Sequence, residues 1–170
     1  MNLSLLYNDP GPSPGLDDLD TLVQVREIGR TLERLGHRTE ELAVPENLGV
    51  FRRMIREKHD DLFFNLTDPR LGEGRFIALP VLALEQEGCR YTGSLADALY
   101  LSSNKLIAKQ MMILDGIPTA CCISQEGFAD AAKLSGGLKL LGSFVPGRFL
   151  IKSVWEHGSA GLSSESVFEA

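Results

Sequence analysis

One tryptophan, three cysteines and an aromatic content of 7% leave this 170-residue chain poor in the residues that dominate aromatic-rich and disulfide-built proteins. It also has no excess of basic charge: 17 Lys and Arg stand against 23 Asp and Glu, a net charge of −6. That balance argues against a surface-wide face for nucleic acid or anionic membrane and makes a small molecule the default partner. No stretch approaches the roughly 20 apolar residues that span a bilayer, the most apolar helical segment being Phe76 to Leu84. The start, Met1 to Tyr7, lacks the basic lead and apolar length of a signal peptide. Cys89, Cys121 and Cys122 are odd in number and two are adjacent, which suits neither a metal knuckle nor a disulfide framework. They read as reduced thiols in a soluble, cytoplasmic protein.

What is present is ordinary globular material, 44% hydrophobic and 24% charged, long enough for one ordinary domain or two small ones. Leu3 to Tyr7 is a short apolar run broken by the Pro/Gly-rich stretch from Asn8 to Gly15, so a strand ends in a loop. Leu22, Val25, Ile28, Leu32 and Leu35 recur at helical spacing with Gly36 as a stop, a helix of about five turns. Arg38 to Val44 reads as a second strand, Pro45 as a helix start, and Leu48, Phe51, Met54 and Ile55 as that helix's apolar stripe. Leu62 to Leu66 is a buried strand, and Leu79 to Glu87 a helix whose Pro80 fits only in a first turn. Strand and helix alternating through about 90 residues predict an α/β fold, a Rossmann-like parallel sheet, with ligands beyond the strands' carboxyl ends at the loops Asn8 to Asp20 and Thr67 to Arg75.

The remainder reads as a smaller unit. Tyr91 to Ser94 is a connector; Leu95 to Leu101 and Leu106 to Leu114 are helices, with Ile107, Met111 and Leu114 as the second one's buried stripe and Gly116 and Pro118 as its stop. A strand over Thr119 to Ile123, a helix over Phe128 to Leu134 and a strand over Arg148 to Val154 follow. Ser163 to Ala170 looks like the opening of a helix, with Ser-Ser-Glu-Ser as cap candidates. A unit that ends on an unfinished helix reads as incomplete, and the chain as a fragment of a longer protein.

Two features carry chemistry. Lys152 precedes the small-residue loop Gly158-Ser159-Ala160-Gly161, where backbone N–H groups can converge on phosphate oxygens and a lysine adds a mobile charge. The plain alternative is an ordinary turn beside an edge-strand lysine. Ser102-Ser103-Asn104-Lys105 opens a helix, whose free N–H groups and dipole favour an anion; the plain alternative is an N-cap and a solvated lysine. Neither is a Walker loop or a dinucleotide fingerprint.

Taken in order, Tyr91-Thr92-Gly93-Ser94, Asn104-Lys105, Gly116-Ile117-Pro118, Ile151-Lys152 and Glu156-His157-Gly158-Ser159-Ala160-Gly161 resemble the D-alanine:D-alanine ligases and related ATP-grasp enzymes. The resemblance implies an N-terminal Rossmann-like domain over residues 1–93 and the first, incomplete ATP-grasp subdomain over 94–170. It implies ATP and Mg, a small amino-acid substrate, and ligation through an acyl phosphate with roles in cell-wall peptidoglycan precursor synthesis. Dimerisation is common in such enzymes. Lys105 and Lys152 are similar to the family's phosphate-holding lysines, and Glu156, His157, Gly158, Ser159, Ala160 and Gly161 to its phosphate-covering loop. His157 stands where the family has glycine, Gly158 where it has the first serine, Ser153 where it has proline and Asn104 where it has aspartate.

The family's N-terminal Gly-Gly-x-Ser-x-Glu signature is absent, and Asp17, Asp18 and Asp20 fall roughly in its place. They are candidates for a substrate ammonium, against the plain reading of acids that compensate a helix dipole. The loop after the third strand departs as well, reading Thr67-Asp68-Pro69-Arg70. The substrate is therefore open between D-alanine and another amino acid or carboxylate, and a non-catalytic binding module is the competing class. Metal ligands and the catalytic arginine are expected beyond Ala170, none within this chain, so these residues alone are expected to lack ligase activity. His37 and His59 receive no role, Trp155 is a packing residue, and Asn65 reads as a loop-fixing or ligand-contacting polar residue.

Overall fold

The computed structural model describes residues 1–12, 16–68, 74–120, 122, 148–159 and 161–169. It divides into two compact units, Met1–Tyr100 and Leu101–Ala170.

The first unit is built on a parallel sheet of order β2-β1-β3-β4, from β1 (Asn2–Asn8), β2 (Arg38–Val44), β3 (Leu62–Asn65) and β4 (Arg90–Tyr91). β1 is a central strand, and Leu3, Ser4, Leu5 and Leu6 are all buried, as expected of a strand covered on both faces. Its one buried hydroxyl, Ser4, donates to Asp61 Oδ2 at 2.8 Å, so burial leaves no orphan there. Leu6, Leu42, Val44, Phe51, Ile55, Phe63, Ala83, Leu84 and Cys89 form the core, with Leu48, Met54 and Tyr91 packed against it.

Helix α1 (Leu16–Arg34) covers β1 and β2. Val25 is fully buried and Gly29 lets the helix come close to β1, since a Cβ there would meet Leu5 Cδ1 at 3.2 Å. Leu35 lies one residue past the helix and is 69% exposed, so it is not part of the buried stripe. Helix α2 (Leu48–Glu57) starts later than Pro45: Asn47 is the cap, its Oδ1 accepting from the N–H groups of Gly49 and Val50. A side chain that satisfies two orphan donors marks a helix start more strongly than a proline's fixed φ. Phe51 and Ile55 bury as the periodicity predicts.

Helix α3 (Leu79–Gln86) carries Pro80 in its first turn and packs on α2. Glu87 at its end is gripped by Arg52 Nη2 and Arg56 Nε, each at 2.6 Å. Arg90 and Tyr91 form the fourth strand of the sheet, taking in the first residue of the connector predicted over Tyr91 to Ser94, because they pair in parallel with Leu62 and Phe63.

Helix α4 (Ala96–Ser103) spans the division between the units. In the second unit, α5 (Lys105–Leu114) is capped by Asn104 as α2 is by Asn47. The expected buried stripe is not there: no residue of α5 is buried, Ile107 is half-covered, and Met111 and Leu114 are 44% and 85% exposed. The described strands of this unit, β5 (Arg148–Leu150) and β6 (Val167–Glu169), make a two-stranded antiparallel ribbon, too small an apolar face to cover a helix.

β5 ends at Leu150, four residues short of the expected Val154. The expected terminal helix is instead a single 3-10 turn, Ser164–Ser166, capped reciprocally by Ser163 and Ser166, that delivers Val167 and Phe168 into β6. Cross-strand pairing decides this: Phe149 and Phe168 stack at 5.5 Å and Arg148 meets Glu169 at 3.3 Å. Thr119 and Ala120 are not in a strand; the rest of that expected strand, apart from Cys122, and the helix over Phe128 to Leu134 lie outside the described residues.

Candidate functional site

The strand order places a topological switch at the carboxyl ends of β1 and β3, because the chain leaves β1 toward β2 on one side and returns to β3 on the other. Polar side chains knit this edge. Asn8 Oδ1 accepts the Asp68 N–H at 2.8 Å, joining the two loops that flank the crevice. Asn65 Oδ1 accepts from the N–H and hydroxyl of Thr67 at 3.2 and 2.7 Å, and the Asn65 N–H donates to Thr92 Oγ1 at 3.1 Å. Asn65 is therefore a loop-fixing residue. Residues 69–73 of the second loop, Glu73 included, lie outside the described residues, and the Arg75 guanidinium stacks over Phe76 at 4.6 Å.

Asp17 and Asp18 fall in the first turn of α1. Asp20 is exposed, and its Oδ2 accepts from Gln24 Nε2 at 3.1 Å, one turn along the same helix.

Behind this edge is a contact that sequence reasoning missed. Glu85 Oε1 accepts both the Tyr91 hydroxyl (2.6 Å) and the Ala96 N–H (3.0 Å), tying α3 to β4 and to the start of α4. The Tyr91 hydroxyl and that N–H hold the Glu85 carboxyl below its usual range. Burial, and then the carboxylate beside it, push the Tyr91 hydroxyl up to about 12. No spacing rule marks a glutamate six residues before a tyrosine, so only the folded chain reveals it.

In the second unit the lysines come first. Lys105 is the first residue of α5, and the side chain of Asn104 already satisfies the N–H groups of Leu106 and Ile107, two donors an anion would need. The Lys105 N–H itself donates to Val154 O at 3.1 Å. The Lys105 ammonium donates to the carbonyl of Glu156 at 2.5 Å and more distantly to that of Val154 at 3.4 Å. Burial lowers the Lys105 pKa, and the neighbouring charge of Lys152 lowers it further against the opposing pull of Glu156. The two sequence-predicted lysines are thus electrostatic neighbours. Lys152 is exposed, two residues beyond the end of β5 and not on the strand as expected.

The loop that follows turns sharply. The Glu156 N–H donates to Ser153 Oγ at 3.3 Å, Gly158 and Ser159 have φ of +59° and +63°, and Gly161 has φ of +75°. Nothing would obstruct a Cβ at Gly158 or Gly161, so glycine is required there by backbone conformation and not by space. The Leu162 N–H closes onto Ser159 O at 3.1 Å. His157 is partly buried, and its Nε2 is shut off from solvent with no hydrogen-bond partner. Ala160 lies outside the described residues. Two neighbouring lysines, one of them bonded to the carbonyl of Glu156 that leads into a small-residue turn, are chemically suited to phosphate oxygens. Among the described residues no group of three or more His, Cys, Asp or Glu could hold a metal ion, and no helix is long and apolar enough to cross a membrane.

The α/β architecture is similar to that of part of solved D-alanine–D-alanine ligases. Among solved structures, the D-alanine–D-alanine ligase of Bacillus anthracis matches at 15% identity with a TM-score of 0.53, over 77% of this chain and 43% of that one. Its ATP complex matches equally, with 44% of that chain covered. The D-alanyl-alanine synthetase A of Vibrio cholerae matches at 14% identity with a TM-score of 0.63, over 99% of this chain and 51% of the other. The likeness is one of fold, and the chain spans about half the length of these enzymes or less. No protein-family model and no curated protein matches the sequence.

Proposed function

We propose that this chain is the N-terminal part of an ATP-dependent carboxylate–amine ligase of the D-alanine:D-alanine ligase type, working in the cytoplasm on peptidoglycan precursors. One observation carries the reading: the Lys105 ammonium donates to the Glu156 carbonyl, two residues before the Gly158–Ser159 turn, with Lys152 as its electrostatic neighbour, on a fold whose solved counterparts are ligases.

In this reading residues 1–93 form the pre-grasp domain and 94–170 part of the first grasp subdomain. Lys105 and Lys152 bind the phosphates of ATP, and the segment Glu156, His157, Gly158, Ser159, Ala160 and Gly161 covers them. ATP supplies the phosphoryl group that activates a substrate carboxylate as an acyl phosphate, which an amine then attacks with release of phosphate. The protein's share is positioning and charge neutralisation. Magnesium would be held by groups other than those described. Asp17, Asp18 and Asp20 are the proposed carboxylates for a substrate ammonium, and a homodimer is the proposed assembly.

The amino-acid pocket admits a second reading, ligation of another amino acid or carboxylate, because Asn8–Asp68 and Asn65–Thr67 occupy the switch-point edge with their own loop bonds. The test is phosphate release and dipeptide formation by the product of the complete reading frame, with ATP, magnesium, D-alanine and a panel of amino acids. D-Alanine-stimulated release is the expected result, with Lys152→Ala lowering it at least tenfold, the worth of one charge-assisted phosphate contact. Release only with another substrate selects the second reading. No release with any leaves a non-catalytic binding module. The 170-residue chain alone is expected to show no turnover.

A further inference from the structure

We propose that the groove between α1 and the edge strand β2 is a binding site for a small zwitterion of the amino-acid class, its carboxylate on Arg26 and its ammonium on Glu41. The site needs neither ATP nor the second unit, so it goes beyond the ligase reading.

The groove has a volume of about 380 Å³, within the range of small-molecule sites. Its helix wall is Arg26, Gly29, Arg30 and Glu33, a spacing of i, i+3, i+4 and i+7 that puts all four on one helix face. A helix lying on a sheet ordinarily turns an apolar stripe inward at that spacing; here three positions are charged and the fourth is glycine. The strand wall is Thr39 and Glu41, alternate residues on one face of β2, paired in register with Leu3 and Leu5 of β1. Buried Leu5 and Gly29 form the bottom. A Cβ on Gly29 would stand 3.2 Å from Leu5 Cδ1 and 3.7 Å from Thr39 Oγ1, so the glycine keeps that bottom open.

Two of the charged walls are already committed. Arg30 Nη1 meets Glu27 Oε1 at 2.7 Å, and Glu33 Oε1 accepts the Thr39 hydroxyl at 2.9 Å. The side chains of Arg26 and Glu41 make no hydrogen bond or ion pair among the described residues. Their charges nonetheless converge: burial and then Glu41 raise the pKa of the Tyr7 hydroxyl, and Arg26 lowers it. An uncommitted cation on the helix wall and an uncommitted anion on the strand wall call for a ligand carrying both signs. The planar guanidinium forks onto a carboxylate, and the Glu41 carboxylate accepts from an ammonium. What joins the two ends rests over Gly29, where no protein side chain intrudes. A ligand of one sign would satisfy one wall and be repelled by the other.

The experiment titrates the whole chain with D-alanine, L-alanine, propionate and ethylammonium, following backbone amide resonances by NMR. Alanine in at least one hand is expected to move the Gly29 and Thr39 amides, and to bind about tenfold or more tighter than propionate or ethylammonium, each of which lacks one charge-assisted contact. Arg26 and Glu41 are exposed, so variants there keep the fold. Arg26→Gln and Glu41→Gln should each raise the dissociation constant about tenfold by the same reasoning. Arg26→Lys, which keeps the charge and loses the fork, should fall between Arg26→Gln and the native chain. Unmoved Gly29 and Thr39 amides with every probe, equal binding of propionate or ethylammonium, or unchanged affinity in both glutamine variants overturns the inference. Shifts confined to Asn8, Asn65 and Asp68 also overturn it and put the amino acid at the switch-point edge. Phosphate release by the complete reading frame tests the ligase reading separately, so the failure of one leaves the other standing.

Discussion

Helices α2 and α5 are the same length, ten residues, and open in the same way, each with an asparagine accepting from two N–H groups of the first turn. Yet α2 buries Phe51 and Ile55 completely while α5 buries nothing. The first lies in a unit whose parallel sheet offers a broad apolar face. The second belongs to a unit whose described strands are a ribbon of two short segments. Capping is local chemistry and succeeds in both places; burial needs a partner surface and succeeds in one. The charged residues proposed to meet phosphate belong to the second unit.

The largest test of this contrast is in the core. Phe51→Ala should cost about 3–5 kcal/mol of stability in urea or thermal unfolding, as large-to-small changes at well-packed aromatic sites do. If the loss were small, Phe51 would not be the well-packed core residue described. The paired caps sharpen the comparison. Asn47→Ala should cost about 1 kcal/mol and lower the unfolding midpoint of the first unit. Asn104→Ala should speed amide exchange along α5 without moving that midpoint.

A smaller effect depends on pH. Arg56, then Arg52, hold the Glu87 carboxyl down to about 2 from its ordinary value of 4.5. A lowered folded-state pKa contributes stability that is complete above the unfolded value and is lost as pH falls from about 4.5 through about 2. The native chain should therefore exceed Glu87→Gln in stability at neutral pH, and the gap should close across that acid window. A gap independent of pH would mean that the arginines act by packing alone. The smallest effect is expected at the exposed end of α5, where Leu114→Ala should change stability by less than about 0.5 kcal/mol.

Much of the first unit was legible in advance because its signals are local and repeated. β2 falls on Arg38–Val44 as read from the sequence, and α3 starts at Leu79 as read and ends one residue earlier, at Gln86. Boundaries failed where two local signals competed, as with Pro45 against Asn47. Larger failures occurred where the outcome depended on a distant partner. Arg90 and Tyr91 are too few to announce a strand, and they become one because Leu62 and Phe63 offer an edge. Val167 and Phe168 follow a good serine cap, yet Phe149 across the ribbon draws them into β6. At the site, the sequence supplied the two lysines and the glycine turn. It could not supply the carbonyl seat of Lys105, the Glu85 junction or the unpartnered His157 nitrogen.

By itself, then, the sequence determined the alternation of strand and helix, the caps, and the kinds of side chain available to meet a phosphate, since all of these follow from periodicity and residue chemistry. Tertiary structure alone decided which helix face is covered, which segment pairs as a strand, and which buried polar atom is left without a partner. Each of those is a matter of what arrives in space beside a residue, and neighbours in the chain do not specify that.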